Sequence, residues 1–287
     1  MDKRTILIQL DSDPHPSVFD RVVAVDSGVD ELFSYGGVSV DQVRGLVHGA
    51  IFTRGPKDLK RTAIFIGGSD VAVGEKMLAA ATASMLPYLK VSVMLDSNGA
   101  NTTAAAAVRM AAKHLPLKDA TALVLGGTGP VGQRVARLLA REGADVRVAS
   151  RQKDRAAAVC ERIRSHVADA KLTPLGIGND TELSAAFDGR SLVIAAGAAG
   201  VVLLPKSVRQ AAKSLKVAID LNAWPPLGIE GVEVVDKAVE REGVVCYGAI
   251  GLGDLKMKTH RSAVASLFEK NDRVLDAEEI YAIAQSF

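Results

Sequence analysis

The stretch Leu123-Val124-Leu125-Gly126-Gly127-Thr128-Gly129-Pro130-Val131-Gly132 decides the fold. Leu123-Val124-Leu125 reads as a buried strand, and Val131, Val135, Leu138 and Leu139 fall on one stripe of the helix that follows. A second strand, over 145–149, begins after the break at Gly143. The run Gly127-Thr128-Gly129-Pro130-Val131-Gly132 therefore sits in the strand–turn–helix–strand setting that turns a weak GxGxxG spacing into a dinucleotide-site signal. Gly127 is expected to allow the tight turn, Gly129 to let a pyrophosphate approach bare backbone, and Gly132 to let the helix lie close to the strand. The helix start offers unpaired N–H groups and a partial positive charge to phosphate. Pro130 loses nothing at the first helical position, where its missing N–H has no intrahelical partner in any case. A structural turn that holds no ligand is the competing reading.

The end of the second strand selects among dinucleotides. A carboxylate there binds the ribose 2′-hydroxyl of NAD, whereas this chain carries Ser150-Arg151-Gln152-Lys153. Guanidinium and ammonium groups suit a 2′-phosphate. Ser150, Arg151 and Lys153 thus point to NADP, with NAD the alternative if the two cations merely open a solvated helix. Ala196-Gly197-Ala198 ends a later strand, where small residues would admit a nicotinamide ring. Asn222, after Asp220-Leu221, could bond its carboxamide; both segments also read as plain turns.

Outward from this motif, short apolar runs alternate with helical patterns, the signature of βαβ units and parallel sheets. Residues 118–251 read as one doubly wound unit. Before Pro116, strands over 5–10, 62–66 and 91–95 alternate with helices over 17–25, 75–85 and 101–114, the last with Asn101 as its N-cap. Helices over 258–269 and 277–285 finish the chain. The expected fold is α/β in two domains: an N-terminal α/β substrate domain over 1–116, a Rossmann-type doubly wound NADP domain over 117–254, and C-terminal helices over 255–287 that pack back on the first domain.

Composition agrees. With 287 residues, 48% of them apolar, the chain is long enough for two cores. A net charge of +2 without a basic tail speaks against a nucleic-acid partner, and 4% aromatics speaks against a base-stacking platform. No run approaches the roughly 20 apolar residues of a membrane span. The apolar run after Met1-Asp2-Lys3-Arg4 is too short for a signal peptide, so a cytoplasmic protein is expected. Cys160 and Cys246 lie in apolar-periodic stretches and read as buried thiols. His15, His48, His114, His166 and His260 are scattered, and no metal-ligand spacing is present.

The first domain has its own polar strand end, Asp96-Ser97-Asn98-Gly99-Ala100-Asn101-Thr102-Thr103. Ligands collect at the carboxyl ends of parallel strands, although a turn with an N-cap explains part of the segment. Together with Pro16 to Asp20, Ile51 to Gly55, Thr62 to Gly68, Asn222 to Gly228, Gly248 to Gly251, Leu255 to Arg261 and Asp276 to Tyr281, it resembles the bacterial NAD(P)-dependent methylene-tetrahydromethanopterin dehydrogenases of one-carbon metabolism. The resemblance runs over essentially the whole chain, and the matches at Asp96-Ser97-Asn98-Gly99 and Pro225-Pro226-Leu227-Gly228 are its most specific parts. It implies oxidation of a methylene bridge on a tetrahydropterin carrier to a methenyl bridge, with hydride passing to NADP or NAD. It also implies a homo-oligomer, a trimer, with the pterin in the cleft between domains, and some members that accept the folate carrier. Ser150-Arg151-Gln152-Lys153 varies around the family's basic pattern, which leaves the choice between NADP and NAD open.

Hydride loss at a carbon between two nitrogens leaves a delocalised cation and moves no proton there. The reaction therefore asks for positioning and for stabilisation of positive charge. Asp20 is the first candidate carboxylate and Asp96 the second, though Ser17-Val18-Phe19-Asp20 also fits a helix-capping pattern. Lys256, Lys258, His260 and Arg261 are expected to open a helix, where the dipole opposes cations, so something anionic or polar should lie opposite. The catalytic candidates are thus Lys256 and Asp20, with Asp96, Ser97, Asn98, Thr102 and His260 as substrate-binding candidates. A methylene-tetrahydrofolate dehydrogenase, a shikimate dehydrogenase-like oxidoreductase, and a non-catalytic NADP- or pterin-binding regulator are the rival readings.

Overall fold

The structure, a computed structural model, describes residues 3–287. Met1 and Asp2, which open the segment read above as too short for a signal peptide, lie outside the described residues. In chain order the elements begin β1 (Ile6–Leu10), α1 (Val18–Asp26), β2 (Glu31–Tyr35), α2 (Val40–Ile51), β3 (Thr62–Ile66), α3 (Val71–Ala83), β4 (Ser92–Leu95) and α4 (Ala100–Ala112). They continue with β5 (Thr121–Leu125), α5 (Pro130–Arg141), β6 (Asp145–Ser150), α6 (Lys153–Arg164), β7 (Leu172–Gly176), α7 (Asp180–Phe187), β8 (Leu192–Ala195), α8 (Lys206–Ala211), β9 (Val217–Asp220), β10 (Lys237–Arg241) and β11 (Val244–Tyr247). The chain finishes with α9 (Gly253–Ser266), β12 (Val274–Leu275) and α10 (Ala277–Gln285).

Two compact units result, one from residues up to Thr102 with Met257–Phe287, the other from Thr103–Lys256. The divisions fall inside α4 and α9, whereas the sequence reading set its breaks at 116/117 and 254/255. The first unit holds a five-stranded, all-parallel sheet in the order β12-β4-β3-β1-β2. Its central strands are buried on both faces, which is why Thr62-Ala63-Ile64-Phe65-Ile66 reads as a continuous apolar run rather than an alternation. Leu10, Ile64, Ile66 and Leu95 meet Val43, Val47 and Met77 from α2 and α3 in its core, each such side chain contributing about 1.5–3 kcal/mol by leaving water. The second unit holds a seven-stranded sheet in the order β10-β11-β9-β8-β5-β6-β7, parallel except for the β10–β11 pair. Leu123, Phe187, Val193, Leu204 and Ala218 lie in its core.

Three expectations change. Residues 26–61, unassigned by pattern, form β2 and α2; β2 is an edge strand with only partial burial, and Gly45 and Gly49 dilute the helical signal of α2. Asn101 is not the cap of α4, which begins at Ala100; the Asp96 carboxylate caps it instead, accepting the N–H groups of Asn101 (2.9 Å) and Thr102 (3.0 Å). Finally, α9 begins at Gly253 and carries Asp254 in its first turn, so Lys258, His260 and Arg261 stand beyond the helix opening, and the dipole argument reaches at most Lys256. Among the described residues no helix is long and apolar enough to cross a membrane.

Candidate functional site

In open parallel sheets a crevice forms at the carboxyl edge where the strand order reverses. The second unit reverses between β5 and β8, and its crevice is made of backbone. Ala196 N–H donates to Leu125 O (2.8 Å), and Gly127 N–H donates to Ala149 O (2.9 Å). The left-handed residue of the turn is Gly126 (φ +70°), one place before the glycine assigned that task from sequence. A Cβ on Gly126 would stand 2.6 Å from Gly197, and one on Gly127 would stand 2.6 Å from Val148 Cγ1. Gly132 does what its position requires: a Cβ there would overlap the Gly126 carbonyl oxygen, so only glycine lets α5 rest on the turn. The N–H groups of Val131 and Gly132 precede the first bond of α5, from Gln133 N–H to Gly129 O (3.0 Å), and form a helix end suited to a pyrophosphate.

At the end of β6, Thr128 Oγ1 donates to Ser150 Oγ (3.3 Å), beside exposed Arg151 and Lys153. Bare turn, helix end and adjacent cations together fit a dinucleotide with a 2′-phosphate. Asn222 does something other than the carboxamide role expected of it. Its Nδ2 donates to Pro226 O (3.1 Å) and its Oδ1 accepts Trp224 N–H (3.0 Å), so the side chain shapes its own loop. The neighbouring Asp220 carboxylate accepts the N–H groups of Asn222 (3.0 Å) and Ile229 (2.8 Å). Burial raises its pKa, and the backbone bonds only partly pull it back.

The first unit reverses between β1 and β3, and its crevice is made of side chains. Buried Asp11, just past β1, accepts the N–H groups of Asp13 (2.9 Å) and Ser17 (3.1 Å) and folds the loop that leads into α1. Asp13 accepts Ser69 N–H (3.0 Å) and Ser69 Oγ–H (2.9 Å), tying that loop to the end of β3. Ser17 is the cap of α1, its Oγ accepting Asp20 N–H (3.2 Å), which leaves the Asp20 carboxylate beside Gly67: Oδ2 lies 3.6 Å from where a Cβ on Gly67 would be. Ser97 Oγ donates to Gly67 O (2.7 Å), and Asn98, left-handed at φ +54°, donates its N–H to Gly68 O (2.7 Å).

Beneath these loops lies a buried cluster. Thr102 Oγ1 donates to Asp96 Oδ2 (2.7 Å), and His260 Nδ1 stands 3.8 Å from the same oxygen. The His260 ring stacks on Phe65 (5.7 Å between centroids, 17°) and tilts against Phe19 (6.2 Å). The structure thus brings Asp20, Asp96, Ser97, Asn98, Thr102 and His260 together, but it buries four of the five substrate-binding candidates. Asp96, Ser97, Thr102 and His260 have their side chains inside the unit, and only Asn98 is exposed. Lys256 is half-buried on α9, one turn before His260. Sequence reasoning missed Asp11, Asp13 and Ser69. The signal was available, because Asp11 follows its strand as Asp96 follows its own.

The family described as "Methylene-tetrahydromethanopterin dehydrogenase, N-terminal" matches residues 18–98, and that described as "Saccharopine dehydrogenase NADP binding domain" matches residues 122–215. The chain is 44% identical to "Bifunctional protein MdtA" of Methylorubrum extorquens over 98% of both chains. It is 32% identical to the "NAD(P)-dependent methylenetetrahydromethanopterin dehydrogenase" of the same organism, again over 98% of both. Among solved structures, a quinate dehydrogenase from Corynebacterium glutamicum in complex with NAD shares the fold at a TM-score of 0.51, with 14% identity over 99% of both chains.

Proposed function

The chain belongs to the methylene-tetrahydromethanopterin dehydrogenase family, and from that membership we propose that it oxidises 5,10-methylene-tetrahydromethanopterin to the 5,10-methenyl form and reduces NADP. The observation that carries this reading is the full-length relationship to a dehydrogenase of that name, joined to a crevice whose backbone and cations fit NADP. NADP, when bound, supplies the hydride acceptor. Gly127, Thr128, Gly129, Pro130, Val131 and Gly132 hold its pyrophosphate, Ser150, Arg151 and Lys153 its 2′-phosphate, and Ala196 and Gly197 give the nicotinamide ring room. Asp20 and Lys256 are the catalytic residues, the carboxylate facing the positive charge that grows as the bridge loses hydride and the ammonium orienting polar groups of the substrate. Asn98 contacts the carrier, while Asp96, Ser97, Thr102 and His260 position the loops that carry Asp20 and Asn98.

The enzyme acts in formaldehyde one-carbon metabolism of a methylotroph, in the cytoplasm, as a homo-oligomer, a trimer. Exposed Val18, Val22 and Val25 along α1, with Phe33 and Tyr35 on edge strand β2, support the association. The 44% identical relative is named a bifunctional protein, which is why the folate carrier is the second substrate to try. NADPH formation followed in parallel with methylene-tetrahydromethanopterin and methylene-tetrahydrofolate tests the proposal. Turnover of the first carrier is the expected result. Turnover of the folate carrier alone makes the chain a methylene-tetrahydrofolate dehydrogenase, and NADPH binding without turnover of either makes it a regulator.

A further inference from the structure

Trp224 is the single tryptophan of the chain, and it is 72% exposed. A lone exposed apolar residue needs no explanation, but the place of this one does. It stands in the loop just after β9, next to β8 at the carboxyl edge of the seven-stranded sheet. A dinucleotide lying across the β5/β8 reversal has its pyrophosphate on the β5 turn and its adenosine ribose by β6, so its reactive ring lies toward β8 and β9.

The loop does not use the indole to fold. Asn222 fixes it from both sides, through Trp224 N–H and Pro226 O, and Gly228 O accepts the N–H groups of Leu203 (2.8 Å) and Leu204 (2.9 Å). The loop that follows β8 runs alongside, because a Cβ on Gly200 would stand 3.8 Å from Pro225 O, and it exposes Val201 and Val202. An aromatic side chain on a hydrogen-bonded loop, with two exposed aliphatic residues on the adjoining loop, therefore rims the edge at which hydride must be delivered. Ordering an indole on such a backbone costs little, since it has two side-chain torsions, and its face offers a large apolar area.

We propose that Trp224 is a substrate-binding residue that stacks on the flat pyrimidine face of the carrier's pterin and sets the affinity for the carrier rather than for the dinucleotide. This rests on the dehydrogenase reading above. No partner for the indole other than the carrier is required by the reaction, and the dinucleotide already has its contacts at the glycine turn and at Arg151.

The sole indole reports on itself. Acrylamide quenching of the full-length protein is measured free, with saturating NADP+, and with NADP+ plus tetrahydromethanopterin, which has no bridge to oxidise. The expected result is that the quenching constant falls at least about twofold only when the carrier is present. Trp224→Ala raises KM for the methylene carrier roughly tenfold, with kcat and the KM for NADP nearly unchanged, and Trp224→Phe recovers most of the loss. Unchanged quenching in the ternary complex, shielding by NADP+ alone, or a wild-type KM in Trp224→Ala overturns the assignment while leaving the dehydrogenase reading intact. A wild-type protein that turns over neither carrier overturns both.

Discussion

The two units reverse their strand order in the same way and build opposite kinds of crevice there. In Thr103–Lys256 the crevice is bare backbone, shaped by what glycine lacks at Gly126 and Gly132. In the other unit it is a lattice of carboxylates and hydroxyls, with Asp11, Asp13, Ser69 and Ser97 bonded to loop backbone and to one another. On the proposed function the difference follows from what each would hold. A pyrophosphate is satisfied by N–H groups, which every sequence has, so selection acts on close approach. A neutral ring system that becomes cationic needs placed carboxylates, and these need supports.

The contrast predicts opposite responses to truncation and to added bulk. The largest effect is expected at the two proposed catalytic side chains: Asp20→Asn and Lys256→Ala each lower kcat about a hundredfold, near 2.7 kcal/mol of transition-state energy, with Tm within a degree or so of wild type. Equal losses of folding and turnover would move these residues from the chemistry to the scaffold. Asp96→Ala takes the acceptor from two buried N–H groups, those of Asn101 and Thr102, and so removes the cap of α4; chemical denaturation should show about 2–3 kcal/mol less stability. Gly132→Ala sets a Cβ against the Gly126 carbonyl. About 1–3 kcal/mol of strain should weaken NADP binding in calorimetry, whereas the same substitution leaves carrier recognition by the other crevice alone. Arg151→Ala should shift the NADP over NAD ratio of kcat/KM roughly tenfold toward NAD, about one charge-assisted bond; an unchanged ratio removes Arg151 from the phosphate site.

The smallest effect lies away from both crevices. Asp236 is buried, which raises its pKa, but Arg241 pairs with both of its oxygens (2.6 and 2.7 Å) and Glu233 N–H adds a third bond, and the net result is a lowered pKa. The unfolded carboxyl therefore binds its proton more readily than the folded one. Stability from this pair is present above the ordinary carboxylate range, near pH 4, and is lost as pH falls through the folded value. Melting curves across acid pH should show a shallower loss in Arg241→Gln than in wild type over that window.

How much of this was legible in the sequence depended on whether backbone or side chains did the work. The glycine turn and its flanking strands could be read directly, because close approach forbids other residues at fixed spacing. Even there the left-handed position fell on Gly126 rather than Gly127, since spacing alone does not report φ. The β2–α2 segment was silent because an edge strand is only half buried and two glycines blur the helix. In the first unit the sequence pointed to Asp20, Asp96, Ser97, Asn98, Thr102 and His260 and passed over Asp11, Asp13 and Ser69, and the burial of four of the residues it named was not foreseeable. Whether His260 meets solvent or lies against Phe65 is decided by tertiary packing and leaves no trace in the order of residues.

One pairing has a bearing on biosynthesis. Strand β12 adds to β4 in the first sheet, and Arg273 N–H reaches Ser92 Oγ across 181 positions of the chain. The contiguous Rossmann unit is synthesised in full before this strand is made. At about 5–20 residues per second, β4 waits on the order of ten seconds or longer as an open sheet edge during translation. The first domain to begin synthesis is thus the last to close.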